Sequence, residues 1–362
     1  ADCWADDSRL VVLNAVDAAE KGAAILTHTR CVGVEAAGGV WQVSLLDEKT
    51  GEGRKIRASM VVNAAGPWVN DVVGLAPALS GDAALPHVRL VKGSHIIIDR
   101  AFDGDQAYIL QQPDKRIVFV IPYEGRFTLI GTTEEDFNGD VYAPMLSEGE
   151  LTYLVDAYNR SFKRSIAKDD VLWSYSGVRP LFDTGDVNAT SASRDYKFYN
   201  HPDTVAPFVS VFGGKLTTYR VLAERLVNQL LHLDNRYAPP WTAGRPLPGG
   251  DIKCDDFAAF LTAQKRRYAW LPDVLLSRYA RAYGTRMDVF LDGAQSLSDL
   301  GRSFGDDVYE AEIVYMLRYE FAREAEDLLW RRSKLGLHAG DKTVQAVSDY
   351  VARYHRNKAR YG

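Results

Sequence analysis

Phe208-Val209-Ser210-Val211-Phe212-Gly213-Gly214-Lys215-Leu216-Thr217-Thr218-Tyr219-Arg220 joins an apolar run to a helix-like run, Val221 to Leu231, through two glycines and a lysine. A strand that ends on paired glycines and opens a helix aims backbone N–H groups and the positive end of the helix dipole at one point. Such a point suits an anionic or electron-rich ligand. A triphosphate loop is ruled out by spacing, because that motif needs a glycine five residues before the Gly-Lys pair and a hydroxyl residue directly after the lysine. Val209 and Leu216 stand at those two positions.

Working outward from this turn, Met60-Val61-Val62-Asn63-Ala64-Ala65-Gly66 reads as a buried strand followed by small residues that let a ligand or another backbone approach closely. Upstream, Asp7-Ser8 opens a helix through Ala19 that Gly22 ends. Ala24 to Thr29 reads as a strand continued by Val32-Gly33-Val34-Glu35, and Val40 to Leu45 is its hairpin partner after Gly38-Gly39. The middle of the chain is strand-rich: residues 95–98, 107–110, 116–122 and 127–131 alternate with Gly, Pro and Asp turns, which predicts a mostly antiparallel sheet. Glu148 to Arg160 reads as a helix and Leu172 to Gly177 as a further strand. Pro239-Pro240, Pro246 and Pro248-Gly249-Gly250 mark a linker over 236–250, beyond which 256–267, 274–283, 308–318 and 343–353 carry helical spacing. The fold class is α/β (α+β) with an all-α C-terminal domain.

The 362 residues carry a net charge of −5 and 46% hydrophobic residues, enough chain for two or three domains with a substantial core. Mild acidity argues against a nucleic-acid binder acting through broad electrostatics. Cys3, Cys31 and Cys254 are few and widely spaced, so neither a disulfide framework nor a thiolate metal site is expected, and a reducing compartment fits. No run of about 18 apolar residues is present, and the start lacks a signal-peptide pattern. Beginning without Met, Ala-Asp-Cys-Trp-Ala-Asp-Asp reads as the middle of a longer protein.

Among the cations, Arg179 follows Ser176-Gly177 at an expected strand end and precedes a proline, so its guanidinium is a candidate fork for a carboxylate or phosphate; a surface salt bridge is the bland alternative. Arg194-Asp195 reads equally as a local ion pair. His95, in Lys92-Gly93-Ser94-His95, is either a structural histidine or a proton acceptor. Lys215 beside two glycines has little structural reason to be charged there, so a functional role is the preferred reading.

Taken together, these segments resemble the flavin-dependent, aerobic glycerol-3-phosphate dehydrogenases, a branch of the glycine/D-amino-acid oxidase clan. The matching stretches run in order: Asp2 to Leu10, Val62-Asn63-Ala64-Ala65-Gly66-Pro67-Trp68, Val91 to His95, Asp114 to Pro122, Ile130-Gly131-Thr132-Thr133, Trp173 to Leu181, Arg194-Asp195-Tyr196, the glycine-lysine turn, Ser298-Asp299-Leu300-Gly301 and Ala325 to Lys334. The resemblance covers essentially the whole chain. It implies a partial FAD-binding, Rossmann-like domain over 1–72 and 205–235, an antiparallel substrate-binding cap over 73–204, and a helical domain over 251–362.

It further implies FAD as cofactor, with oxidation of sn-glycerol 3-phosphate to dihydroxyacetone phosphate by hydride transfer. Arg179, Arg194 and Lys215 would hold the substrate, with Arg179, Lys215 and His95 as the catalytic candidates. Gly213, Gly214, Leu216, Thr217 and Thr218 would lie along the flavin ring, Ala64, Ala65 and Gly66 close to the cofactor, and Arg30 and Cys31 on its adenine side. No metal is implied. A membrane quinone would take the electrons, or oxygen in an oxidase branch, with peripheral attachment at the cytoplasmic face, an allowed homodimer and no nucleic-acid partner. The departure from the family is that no Gly-x-Gly-x-x-Gly turn precedes a strand, so the chain is expected to be a fragment that binds FAD weakly or not at all and is inactive alone. Two rivals stand beside this reading: an amino-acid oxidase of the same clan, and a non-catalytic interaction domain.

Overall fold

Asp6, not Asp7 or Ser8, caps the first helix, α1 (Asp7–Glu20), its carboxylate accepting from the Arg9 N–H at 3.1 Å. In this computed structural model, which describes residues 5–79, 81, 84–182, 196–233 and 237–361, the chain divides into two compact units, His28–Thr242 and Ala1–Thr27 with Ala243–Gly362. Residues 1–27 thus group with the C-terminal segment, whereas the sequence reading grouped them with 28–72. The cause is ionic: Arg9 donates to both carboxylate oxygens of Glu320 at 2.6 and 2.7 Å and to Arg332 O at 3.1 Å, with both side chains buried. A charge desolvated in this way needs such a partner, which ties α1 to its own unit.

The expected strand at 24–28 does not form. Strand β1 (Thr29–Ala37) begins opposite Asp47, the last residue of β2 (Val40–Asp47); His28 before it still accepts the Glu48 N–H at 2.8 Å, but its φ of 53° breaks the extended run. Gly38 and Gly39 make the hairpin turn with φ of 59° and 77°, and β3 (Gly53–Ala58) completes a three-stranded sheet.

Strand β4 (Val61–Asn63) is followed by a turn at Gly66–Trp68 and by α2 (Val69–Gly74). The expected antiparallel sheet is built from β5 (Val88–Asp99), β6 (Tyr108–Gln111), β7 (Ile117–Tyr123), β8 (Phe127–Gly131), β9 (Glu135–Asp136) and β10 (Val171–Phe182), in the order β10-β5-β8-β7-β6 with β9 on β5. Helix α3 (Glu148–Asn159) covers one face, burying Leu154, Val155 and Tyr158 against Ile96, Ile98, Val118, Val120 and Ile130. Strand β10 runs on through Arg179 and Pro180, so Arg179 lies within a strand instead of at its end; Pro180 is tolerated because β10 is an edge strand. A third sheet, ordered β11-β12-β4, places β12 (Phe208–Gly213) between antiparallel β11 (Tyr196–Asn200) and parallel β4, and β12 leads into α4 (Tyr219–Leu233).

The second unit is mainly helical, as expected: α5 (Phe257–Arg267), α6 (Asp273–Tyr283), α7 (Asp288–Leu291), α8 (Glu310–Tyr319) and α9 (Asp341–Tyr361) pack around Leu275, Tyr279, Met287, Ile313, Tyr315 and Leu328. An open cleft of about 640 Å³ on this unit is lined by Glu310, Arg318, Tyr350, Arg353, Tyr354 and Asn357. Its glutamate is already engaged by Tyr350 Oη at 2.7 Å and the Arg302 N–H at 2.9 Å. Among the described residues no helix is long and apolar enough to cross a membrane.

Candidate functional site

Two turns meet at one end of the β11-β12-β4 sheet. Strands β4 and β12 are parallel, Asn63 pairing with Ser210, so Ala64-Ala65-Gly66 and Gly213-Gly214-Lys215 leave the sheet at the same, carboxyl end. That end of parallel strands is where open α/β sheets bind ligands. The buried Asn63 amide holds the two turns in register, donating to Val69 O at 2.8 Å and Ser210 Oγ at 3.2 Å while its oxygen receives the Ala65 N–H at 3.3 Å. Gly213 and Gly214 adopt φ of 76° and 108°, which a residue with a side chain rarely adopts. Lys215, Leu216, Thr217 and Thr218 are exposed in the short helical turn that precedes α4. Two small-residue turns side by side, one opening a helix, fit a planar, electron-accepting cofactor such as a flavin.

The edge of the antiparallel sheet supplies a cation, Arg179, on the same face as His95. Strands β5 and β10 pair so that Tyr175 faces His95, Gly177 faces Gly93 and Arg179 faces Val91. By the period of two, His95, Gly93, Tyr175, Gly177 and Arg179 share one face, the one opposite α3. The His95 ring stacks on Tyr175 with centroids 4.7 Å apart and planes 7° apart, and on its other side lies Gly131 of β8, whose Cα leaves room for the imidazole. The Arg179 guanidinium lies over Gly93, reaching Thr132 Oγ1 at 3.2 Å and Glu134 Oε1 at 3.5 Å. Strand β10 also packs on β12 and on the 66–68 turn, with Pro180 Cγ 3.8 Å from where a Gly66 Cβ would sit. Pro180, on the face opposite Arg179, therefore sets strand β10 beside the Gly66 turn.

Burial, assisted by the nearby Arg179 charge, pushes the His95 imidazole down to about 4, and its buried Nδ1 has no hydrogen-bond partner among the described residues. A neutral ring keeps one nitrogen lone pair with which to accept a proton at neutral pH. The ordinary value of 6.5 applies to the unfolded chain, so between pH 6.5 and 4 the unfolded chain takes up a proton that the folded one refuses. The stabilisation is complete above pH 6.5 and is lost as pH falls through that window, by about 3 kcal/mol at most for this one group. In a urea series, a His95→Asn variant is expected to flatten that part of the stability profile; an unchanged slope would contradict the assignment.

Beneath this face, on the α3 side, lies a buried polar cluster that the sequence reading missed. Glu150 Oε1 receives Ser94 Oγ at 2.8 Å and Thr133 Oγ1 at 2.7 Å; its Oε2 receives Lys92 Nζ at 2.9 Å and the Ser147 N–H at 2.8 Å. Ser94 Oγ spends its proton on Glu150, so Ser176 Oγ, 2.7 Å away, donates to Ser94. Burial alone raises a carboxyl, but these donors outweigh it and hold Glu150 below the ordinary carboxylate range. The signal in the sequence was the capping box Ser147-Glu148-Gly149-Glu150, together with Lys92 and Ser94 at alternate positions of an otherwise apolar strand.

Of the residues singled out from sequence, Arg179 and His95 come together on one sheet face, while the Ala64 to Gly66 and Gly213 to Thr218 turns converge at one sheet end. Arg30 and Cys31 sit in the β1–β3 sheet: Arg30 pairs with Glu48 at 3.1 Å, and Cys31 packs against the cluster of Val34, Trp41 and Val43. Arg194 lies outside the described residues.

The chain matches the family profile described as FAD dependent oxidoreductase over residues 1–220, and the C-terminal domain of alpha-glycerophosphate oxidase over residues 241–359. It is 46% identical over 338 residues to the D-erythritol 1-phosphate dehydrogenase of Brucella abortus, covering 93% of this chain and 67% of that protein. It is 42% identical over 361 residues to the aerobic glycerol-3-phosphate dehydrogenase of Escherichia coli, covering 99% of this chain and 71% of that protein. Among solved structures, the glycerol-3-phosphate dehydrogenase from Bacillus halodurans complexed with FAD superposes with a TM-score of 0.82 at 27% identity, over 96% of this chain and 69% of that one.

Proposed function

The chain belongs to the FAD-dependent oxidoreductase family, and on that premise we propose that it oxidises the secondary hydroxyl of a phosphorylated polyol, with sn-glycerol 3-phosphate going to dihydroxyacetone phosphate. The observation that carries this reading is the pairing of a half-exposed arginine fork with a histidine kept neutral by burial, on one face of a sheet whose strand β10 packs against β12 and the 66–68 turn. When bound, FAD supplies the acceptor for the hydride that leaves the carbinol carbon. Gly213, Gly214, Leu216, Thr217 and Thr218, with Ala64, Ala65 and Gly66, would hold it, their N–H groups favouring negative charge on the ring.

The remaining work falls to side chains of this chain. Arg179 offers two parallel N–H groups to the substrate phosphate, a geometry that an ammonium cannot match. Arg194 is assigned to the same phosphate on its sequence position. Lys215, exposed at the glycine turn, donates to the reacting oxygen and favours its deprotonated form. The neutral His95 imidazole takes the hydroxyl proton as the carbon loses hydride. A membrane quinone is the electron acceptor in this reading, and peripheral membrane contact follows from it.

A second substrate is favoured by the 46% identity to the D-erythritol 1-phosphate dehydrogenase. Both substrates are phosphorylated polyols and place the same demands on Arg179 and His95. Dye reduction by the flavin-loaded protein, with each polyol phosphate and with a panel of amino acids, separates the possibilities. The expected result is turnover of a polyol phosphate, with the higher kcat/KM naming the substrate. Turnover of amino acids alone would place the chain with the amino-acid oxidases and end the proposal.

A further inference from the structure

We infer that Glu150, buried on the face of the sheet away from the reacting groups, is a positioning residue that sets where the Arg179 guanidinium stands. This rests on the assignment of Arg179 as the phosphate fork. The guanidinium meets Thr132 Oγ1, Glu134 Oε1 and the backbone at Gly93. Each of these is a chain neighbour of a residue bonded to Glu150. Thr132 and Glu134 flank Thr133, whose hydroxyl donates to Glu150 at 2.7 Å. Gly93 stands between Lys92 and Ser94, bonded to Glu150 at 2.9 and 2.8 Å. Strand β10, which carries Arg179, is tied to the same cluster through Ser176 and Ser94.

The arrangement passes the position of one buried carboxylate through the sheet. Alternation along a strand sends Lys92, Ser94 and Ser176 inward and Gly93 and Arg179 outward, so fixing the inward set fixes the backbone that the outward set rests on. Thr133 Oγ1 also accepts the Ser94 N–H at 2.9 Å, which locks the 132–134 segment to β5 directly over the guanidinium's path. The fit leaves little slack. A Cβ at Gly93 would stand 2.6 Å from Thr132 Oγ1 and 2.8 Å from Arg179 Nη2, so a small slide of the 132–134 segment over β5 displaces the fork. Hydrogen bonds to a buried carboxylate are among the strongest available for resisting such a slide. A misplacement of about 1 Å at a binding fork has large consequences.

The test uses flavin-loaded Glu150→Gln and Thr133→Val, with Arg179→Lys measured beside them and Asn159→Ala as the stability control. Asn159 sits at the far end of α3, where it bridges to Ile166 through two hydrogen bonds. The expected result is a KM for the polyol phosphate raised about tenfold in Glu150→Gln and Thr133→Val with kcat within about threefold. The Kd for inorganic phosphate, read by calorimetry without turnover, should rise in parallel. Asn159→Ala lowers Tm but leaves both constants alone. If Arg179→Lys raises KM and Kd while Glu150→Gln and Thr133→Val do not, the positioning role is wrong and the fork assignment survives. If Arg179→Lys also leaves both constants unchanged, the fork assignment and the positioning role fall together. Should Glu150→Gln not fold, Thr133→Val decides the matter, because it removes only one of the carboxylate's four donors.

Discussion

Replacing Arg179 by alanine lowers kcat/KM for the polyol phosphate by about 10³, close to 4 kcal/mol of lost binding in the transition state. The size follows from what is removed. Hydrogen bonds between charged groups contribute about 1.5–3 kcal/mol each, and a guanidinium can make two to one phosphate. The side chain is 39% exposed, so it faces a ligand without first having to leave the protein, and Thr132 and Glu134 aim it. Arg179→Lys keeps the charge but not the fork and should recover only part of the loss. Flavin content should stay level in both variants, since Arg179 is not among the residues assigned to the cofactor. Steady-state dye reduction with flavin absorbance decides the issue, and a loss under tenfold in Arg179→Ala would remove the phosphate fork from the mechanism.

Gly131→Ala is expected to cut kcat by about 10² and to cost about 2–3 kcal/mol of stability, one added methyl group acting through a collision. The new Cβ would stand 2.2 Å from His95 Cδ2 and 2.6 Å from Cγ. The ring has no retreat, because Tyr175 stacks on its other face. Either the imidazole leaves its slot or β5 and β8 separate. A ring pushed out of its slot regains water, so the acid limb of the pH–rate profile should move up from about 4 toward 6.5. Gly177→Ala is the comparison: nothing lies within 4 Å of its added Cβ, and Tm should barely change. A Gly131→Ala protein with normal kcat and an unmoved acid limb would show that His95 does not carry the proton.

How much of this was readable beforehand varies with the range of the interactions. The strand-turn-helix at 208–231, the antiparallel middle, the α3 capping box and the C-terminal helices are written in short stretches, where periodicity, glycine and caps act within a few residues. The strand expected at 24–28 failed because His28 takes a left-handed backbone conformation, φ 53°, that breaks the extended run before Thr29. The end assigned to β10 before Arg179 failed because Pro180 on an edge strand sacrifices no ladder bond.

The sequence alone determined that paired glycines and a lysine close a strand and open a helix, and it marked His95, Arg179 and Lys215 as candidates for chemistry, because backbone conformation and charge belong to each residue where it stands. The tertiary structure alone decided that His95 and Arg179 share a face with two glycines beneath them, that Glu150 is buried on the opposite face among four donors, and that α1 belongs with Glu320. Those facts depend on strand register and desolvation between segments far apart in the chain, and no local pattern encodes either.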